Sequence, residues 1–246
     1  MPAQVHEVNE NGIQYPWLST QFPPNVRSWL ASKYVEPEYR RQNNMFWNEM
    51  GQELVFPIHD ENGKMVFTNA RYFGKEAGHP RYRNQGNNTD HALILGDLEA
   101  NVVFIVEDYI SALRIGTAKS LGIYNPELRF AAYPMFGSNP NHDHMLELSQ
   151  KFLGCIFFMD PDKHKEAQEF SLKYSQYFQG SGWIHSKKDP KDYTPPDLNL
   201  ILTSHVQQME HRLFENPLYK GGEVSKAEEV KKNINLVDDY YDQDWR

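Results

Sequence analysis

Residues 102–215 alternate short apolar runs with longer amphipathic segments, and this alternation constrains the possible fold more than any other feature of the chain. Four apolar runs predict strands: VVFIV, RFAAYPMFG, CIFFM and GWIHS. The segments that follow them predict helices: YISALRIGTAKSLG, HMLELSQKFLG, KEAQEFSLKYSQYFQG and LNLILTSHVQQMEHRLFE. Strands that alternate with crossover helices form a parallel sheet with right-handed connections. The sequence therefore predicts an α/β fold whose functional groups gather at the carboxyl ends of the strands.

The residues before this block predict a smaller α+β segment. One short helix is expected at 25–32, after FPP, and ELVFPIHDENGKMVFTNARYFG predicts two strands around the turn DENG, with Gly63 at positive φ. The polar, basic stretch KEAGHPRYRNQGNNTD is predicted to be an exposed loop. The expected domains are residues 1–98 for this segment, 99–205 for the sheet domain, and 206–246 for a C-terminal helix and acidic tail.

Composition excludes several classes of protein. The single cysteine, Cys155, rules out an internal disulfide framework and a cysteine-based zinc site, so no zinc is expected. No apolar stretch approaches the roughly 20 residues of a membrane span, and MPAQVHEVNENG lacks the features of a secretory signal. We therefore expect a cytoplasmic protein without a membrane partner. A net charge of -8 argues against a surface that coats nucleic acid broadly, but it permits a local basic groove.

Acidic residues follow three of the four predicted strands: Glu107 and Asp108, Asp160 and Asp162, and Asp189 and Asp192. Because neighbouring parallel strands lie about 4.8 Å apart, these carboxylates are expected to share one edge of the sheet. Carboxylates that close stay ionised together only when a cation lies among them. A cluster of oxygen ligands without cysteine suits Mg²⁺ or Mn²⁺.

Two other readings of these acids are open. Each could be a helix N-cap, a position where Asp is favoured. The acids could also belong to a phosphoacceptor domain of the two-component receiver type. That design needs a further strand and helix between its Asp and its Lys, whereas one predicted helix separates Asp162 from SKK.

Basic residues are concentrated in a strip ahead of the sheet domain, and Lys188 adds another in the segment after the fourth strand. The strip consists of Lys64, Arg71, Lys75, Arg81 and Arg83. Between its ends it contains one acid, Glu76, although the chain is acidic overall. This contrast predicts contacts with nucleotide or template phosphates; an ordinary solvated face is the alternative.

The sequence resembles a known family at these positions. VFIVEDYISAL, FFMDPD and KKDPKD look like the three signatures of a TOPRIM domain. Upstream, LVFPIHDENGKMV, NARYFG and HPRYRN are similar to elements of the RNA-polymerase region of bacterial and phage primases. The resemblance covers roughly residues 54–200, with all elements in the same order.

The resemblance implies a DNA primase, which synthesises short RNA primers on single-stranded DNA from ribonucleoside triphosphates with Mg²⁺ or Mn²⁺. It assigns Glu107, Asp160 and Asp162 to catalysis and metal binding, with Asp189 as a further metal ligand. Asp108 stands where the family usually has Gly, and it is expected to add another carboxylate to the metal site. A phage protein of this type would act in the host cytoplasm. The expected partner is a separate replicative helicase or a single-strand-binding protein.

Three departures from the family pattern keep other functions open. Ser111 stands where the family has Asp, Lys191 stands where it has a second acid, and no amino-terminal cysteine zinc module is found. Template choice is therefore expected to come from elsewhere or to be weak. A TOPRIM nuclease, or a degenerate TOPRIM module that binds without catalysis, are the alternatives.

Overall fold

The computed structural model describes residues 7–8, 14–15, 18–60, 62–86, 92–120 and 128–215. The chain forms two compact units that meet in sequence between Leu93 and Ile94. The expected domain limit after residue 98 lies close to this point and stays a prediction. Of the predicted C-terminal helix and acidic tail, 206–246, residues 216–246 lie outside the described residues.

The first unit contains a two-stranded antiparallel ribbon and a five-stranded antiparallel sheet with the order β3-β4-β5-β6-β7. The strands are β1 (Glu7–Val8), β2 (Gln14–Tyr15), β3 (Leu18–Ser19), β4 (Phe46–Asn48), β5 (Glu53–His59), β6 (Met65–Tyr72) and β7 (Tyr82–Gly86). Its helices are α1 (Pro24–Ser32) and α2 (Pro37–Gln42).

The predicted hairpin of β5 and β6 is confirmed. At its turn, the Asp60 carboxylate accepts hydrogen bonds from the backbone N–H groups of Asn62 (3.0 Å) and Lys64 (2.8 Å). Gly63 has a φ of 77°, a conformation that costs glycine little because it has no Cβ. Asp60 and Gly63 thus stabilise the turn of the hairpin at the position that the sequence predicted.

One prediction for this unit is wrong, and one helix was not predicted. Tyr82–Gly86 belongs to an edge strand and not to a loop, and α2 was missed altogether. The reason is the same in both cases: neither element contains a fully buried side chain, so neither carries the apolar periodicity that sequence analysis detects. An edge strand paired on one side needs little apolar surface.

The second unit is a five-stranded sheet with the order β12-β11-β9-β10-β8, in which the first four strands are parallel and β8 is antiparallel. The strands are β8 (Leu95–Gly96), β9 (Val102–Val106), β10 (Ala131–Pro134), β11 (Gly154–Phe157) and β12 (Gly180–Trp183). The helices are α3 (Tyr109–Gly116), α4 (His142–Lys151), α5 (His164–Tyr174) and α6 (Pro195–Glu215). The predicted fold class is confirmed, and no described helix is long and apolar enough to span a membrane.

Helices cover both faces of this sheet, which explains why β9 is apolar at every position. Phe104 and Ile156 pack in one core with residues of α3 and α6. On the other face, Tyr133 contacts His144 of α4, and Phe157 contacts Tyr174 of α5. The strands are therefore held firmly from both sides, and the residues at their carboxyl ends are held with them.

Helix α3 ends earlier than predicted. It stops at Gly116, and the described residues 117–120 are not helical, whereas the sequence pattern extended the helix to Gly122. Gly116 lies against the backbone of β8, where a Cβ would come within 2.6 Å of the Leu95 carbonyl carbon. This strand carries too little pattern to be predicted, so its effect on the helix was not foreseen.

Candidate active site

The carboxyl ends of β9 and β11 bring Glu107 and Asp160 together. The two strands are adjacent and parallel, and Glu107 directly follows β9. Asp160 lies three residues beyond the end of β11, and its backbone N–H donates a 3.1 Å hydrogen bond to Oε1 of Glu107. Two acids that are distant in sequence thus meet at the predicted edge of the sheet.

Asp108 is fully engaged within the protein. Its Oδ1 accepts hydrogen bonds from the backbone N–H groups of Ile110 (2.9 Å) and Ser111 (3.0 Å), so it caps α3. Its Oδ2 accepts from the Ser111 hydroxyl at 3.1 Å and from Nζ of Lys191 at 2.7 Å. For this acid, the geometry is that of a helix cap.

Lys191 places an ammonium group inside the acid cluster. Its Nζ lies 2.7 Å from Oδ2 of Asp108 and 2.7 Å from Oδ2 of Asp189, and 9% of its side chain is exposed. Burial alone would lower the pKa of Lys191, but the charges of Asp108 and Asp160 outweigh it and raise the pKa above the ordinary lysine value. Lys191 therefore stays protonated.

Asp160 carries a buried oxygen that is not satisfied. Within the described part of the chain, its Oδ1 has no hydrogen-bond partner and almost no contact with solvent. Burial raises the pKa of Asp160 to about 7, the Lys191 charge opposes this rise, and the nearby Glu107 and Asp189 charges add to it. An unpartnered carboxylate oxygen of this kind is costly unless a proton or a cation occupies it.

The remaining acids of the cluster have different surroundings. Burial raises the pKa of Glu107, and the hydrogen bond from the Asp160 N–H opposes the rise. For Asp108, burial acts to raise the pKa, but the Lys191 charge and the bonds from Ser111 lower it overall. Asp162 lies exposed on the short 3-10 turn that begins at Pro161, where its charge still acts on Glu107.

These residues do not form a closed metal cage. Among the described residues, no group of three or more His, Cys, Asp or Glu side chains is arranged to hold a metal ion. Magnesium, however, keeps several waters and binds proteins through one or two carboxylates, often together with substrate phosphates. Glu107 and the unpartnered Oδ1 of Asp160 fit that mode of binding.

In the basic strip of the first unit, two arginines already have internal partners. Arg71 is buried, donates a 2.6 Å hydrogen bond to the Tyr82 hydroxyl, and lies 4.2 Å from the ring centre of Trp29. Arg83 makes two hydrogen bonds, of 2.9 and 2.7 Å, with the buried carboxylate of Glu53. Both contribute to the structure of the unit, and their predicted phosphate contacts stay predictions.

The other predicted basic residues are accessible. Lys64, Lys75 and Arg81 are exposed in the first unit. Lys188, in the second unit, is also exposed, and its ammonium lies 5.6 Å from the ring centre of Tyr193. These four side chains are the predicted phosphate ligands that the structure leaves at the surface.

Sequence analysis did not identify Arg114, which fixes the backbone of one segment of the site. Arg114 is 5% exposed and donates to the backbone carbonyls of Lys191 (3.3 Å) and Tyr193 (3.0 Å). These bonds fasten the segment that carries Asp189 and Lys191 to α3. An arginine within the apolar run YISALRIG was the available signal, because a buried charge needs a partner.

Comparisons with known proteins agree on the fold. No model of a known protein family and no curated protein sequence matches this chain. Among solved structures, it is similar to the zinc-binding and RNA polymerase domains of the Aquifex aeolicus primase, with a TM-score of 0.54 and 12% identity. That match covers 87% of this chain and 68% of the other.

Two further structures give the same TM-score of 0.54. A DnaG primase catalytic domain bound to single-stranded DNA is 14% identical and matches over 88% of this chain and 85% of its own. The E. coli primase catalytic core is 15% identical, with 81% and 78% covered. The chain therefore has the fold of DnaG-type primase catalytic cores, including the TOPRIM domain that the sequence resembles. At identities this low, the likeness shows the fold alone.

Proposed function

We propose that this chain is a DNA primase that synthesises short RNA primers on single-stranded DNA from ribonucleoside triphosphates. The observation that carries the proposal is the unpartnered Oδ1 of Asp160 beside Glu107, at the carboxyl edge of the parallel sheet. Ligands bind at this edge in open α/β sheets. The primase-type fold and the TOPRIM signatures support the same function.

Glu107 and Asp160 would hold a Mg²⁺ or Mn²⁺ ion, with the exposed Asp162 available to its water shell. Such an ion, when bound, stabilises negative charge on the phosphoryl oxygens of the reacting nucleotide. The residues of the chain supply position and charge. The two carboxylates follow adjacent strands whose spacing is fixed by backbone hydrogen bonds, and the Asp160 N–H bonds Glu107 directly, so they need little reorganisation.

The exposed basic residues would bind phosphates of nucleotide and template. Lys64, Lys75, Arg81 and Lys188 are accessible for this role. Binding that relies on a few lysine and arginine contacts in a chain of net charge -8 should be weak and should fall steeply with salt. A replicative helicase or single-strand-binding protein would raise the local concentration of the enzyme on its template. Phage replication is the setting that the sequence resemblance favours.

The test is incubation of the full chain with single-stranded DNA, labelled ribonucleotides and either Mg²⁺ or Mn²⁺. Short RNA products are expected from the wild type and not from Asp160→Asn. Asp143→Asn is the matched control, since it makes the same change at an exposed acid of α4 that has no contact with Glu107 or Asp160 among the hydrogen bonds of the described residues. Cleavage of the DNA would favour a nuclease instead.

A binding module without catalysis is the second candidate, and one observation favours it. Lys191 already compensates one of the two negative charges of Asp108 and Asp189 without any metal. Absence of RNA products with either ion and with a helicase present, together with retained binding of single-stranded DNA, would favour this candidate.

A further inference from the structure

The backbone that carries Lys191 is held in place from within the fold. Lys191 lies on the short 3-10 turn that begins at Pro190, and its carbonyl accepts a hydrogen bond from the buried guanidinium of Arg114. The same guanidinium binds the carbonyl of Tyr193. The backbone at Lys191 is therefore fixed, and its buried ammonium is held within the acid cluster.

The ammonium of Lys191 occupies the last acceptor position of the Asp108 carboxylate. A carboxylate offers about four lone-pair positions. Those of Asp108 are taken by two backbone N–H groups, the Ser111 hydroxyl and Nζ of Lys191. A metal ion could bind Asp108 only by displacing one of these donors, at the expense of the α3 cap or of the ion pair. Asp189 shares the same ammonium at 2.7 Å.

The other half of the cluster, Glu107 and Asp160, has fewer internal hydrogen bonds. Glu107 accepts one backbone N–H, and Asp160 keeps a buried oxygen without a partner among the described residues. Four carboxylates and one ammonium leave the cluster with three formal negative charges; the carboxylates are those of Glu107, Asp108, Asp160 and Asp189. One divalent ion compensates two of these charges. A second divalent ion would make the group formally positive.

We propose that the ammonium of Lys191 occupies the cation position beside Asp108 and Asp189 and excludes a metal ion from it. The site then binds one divalent ion, through Glu107 and Asp160. The inference rests on the proposed function for the identity of the ion as Mg²⁺ or Mn²⁺. Lys191 acts as a positioning residue: it holds Asp108 and Asp189 in place and sets the number of ions.

The number of ions is measured directly by titrating the full chain with Mn²⁺ and recording free Mn²⁺ by electron paramagnetic resonance. The wild type is expected to bind one ion. Lys191→Asp, which replaces the ammonium by a carboxylate, is expected to bind two. Lys187→Asp makes the same change of charge at an exposed position four residues earlier and is expected to bind one.

Lys191→Met is the second variant, in case Lys191→Asp does not fold. It keeps the length of the side chain but leaves Asp108 and Asp189 without the ammonium. Its melting temperature in a chelator should be lower than that of Lys187→Met, and Mn²⁺ should restore it while a second ion binds. A merely structural role for Lys191 would lower the melting temperature without adding an ion.

A wild type that binds two ions, or none, would overturn the inference, as would a folded Lys191→Asp that still binds one. The failure of the proposed function looks different. If the wild type binds one ion and makes no RNA, the inference holds and the primase proposal fails. If it makes primers with two ions bound, the primase proposal holds and the inference fails.

Discussion

The two units treat their charged residues in opposite ways. In the first unit, Arg71 is packed against Trp29 and Arg83 is paired with Glu53, so two cations that the sequence assigned to ligands have partners inside the fold. The buried Nε of Arg71 still has no hydrogen-bond partner among the described residues. In the second unit, one ammonium serves Asp108 and Asp189, while Asp160 keeps an unpartnered buried oxygen. A cation that packs on an aromatic ring or pairs with a buried carboxylate stabilises the fold, whereas a buried carboxylate oxygen without a hydrogen-bond partner is a position that a metal ion could occupy. The comparison therefore predicts loss of stability from a change at Arg71 or Arg83 and loss of function from a change at Asp160.

The largest effect is expected at Asp160. Asp160→Asn removes the charge that would hold the ion, and RNA synthesis should fall by about 10²–10³-fold, as for the loss of one preorganised electrostatic contact. Stability in a chelator should not fall, since the variant removes a buried charge without a partner. Rates of primer synthesis and melting curves of the same samples test both parts. A variant that synthesises RNA at the wild-type rate would contradict the functional role predicted for Asp160.

The next effect is expected at Arg71, and it concerns stability. Arg71→Ala removes the hydrogen bond to Tyr82 and the stacking on Trp29, which together should lower the free energy of unfolding by about 1.5–3 kcal/mol. Urea denaturation measures this change. If Arg71→Ala is as stable as the wild type but loses binding to single-stranded DNA, then Arg71 is a ligand residue and the comparison fails in the first unit.

An effect of pH on stability is also expected. The pKa of Asp160 in the folded protein, about 7, lies above the ordinary value of about 3.9. Between these values the folded state holds a proton that the unfolded state has lost, so stability should fall as pH rises from about 4 to about 7. One proton limits this slope to about 1.4 kcal/mol per pH unit.

Asp160→Asn should remove that contribution. In a chelator, the variant and the wild type should have similar melting temperatures near pH 4, and the wild type should be the less stable of the two near pH 8. Curves that stay parallel from pH 4 to pH 8 would show that the surroundings of Asp160 do not disfavour its charge.

The smallest effect on stability is expected at Arg81, which is exposed. Arg81→Ala should change the free energy of unfolding by no more than about 0.5 kcal/mol. If Arg81 binds a template phosphate, the variant should bind single-stranded DNA more weakly and the salt dependence of log K should decrease by about one. Fluorescence anisotropy at several salt concentrations measures this. An unchanged slope would assign Arg81 to the solvated surface.

The elements with strong apolar patterns were predictable from the sequence. The strands β9 and β11 and the hairpin of β5 and β6 follow from burial and from turn residues, which act locally. The elements missed include α2, β7 and β8, which contain no fully buried side chain, and β4, which is buried at all three positions but is too short to show a period. The strands β1, β2 and β3, of two residues each, were missed as well. Their existence depends on neighbours that are distant in sequence, so their own residues carry little signal.

The same division applies to the candidate site. The sequence by itself determined that acids follow several strands of one parallel sheet, because the period of the pattern places the strand ends and parallel strands align them. The structure decided that β9 and β11 are adjacent, although β10 lies between them in sequence. Tertiary structure alone decided which charges were compensated: Lys191 reaches Asp108 across 83 positions of sequence, and Arg83 reaches Glu53 across 30. Ion pairs form between whichever side chains packing brings within about 3 Å, and no local pattern encodes that distance. For this reason the sequence could place Asp160 at the edge of the sheet, and only the fold could leave its oxygen without a partner.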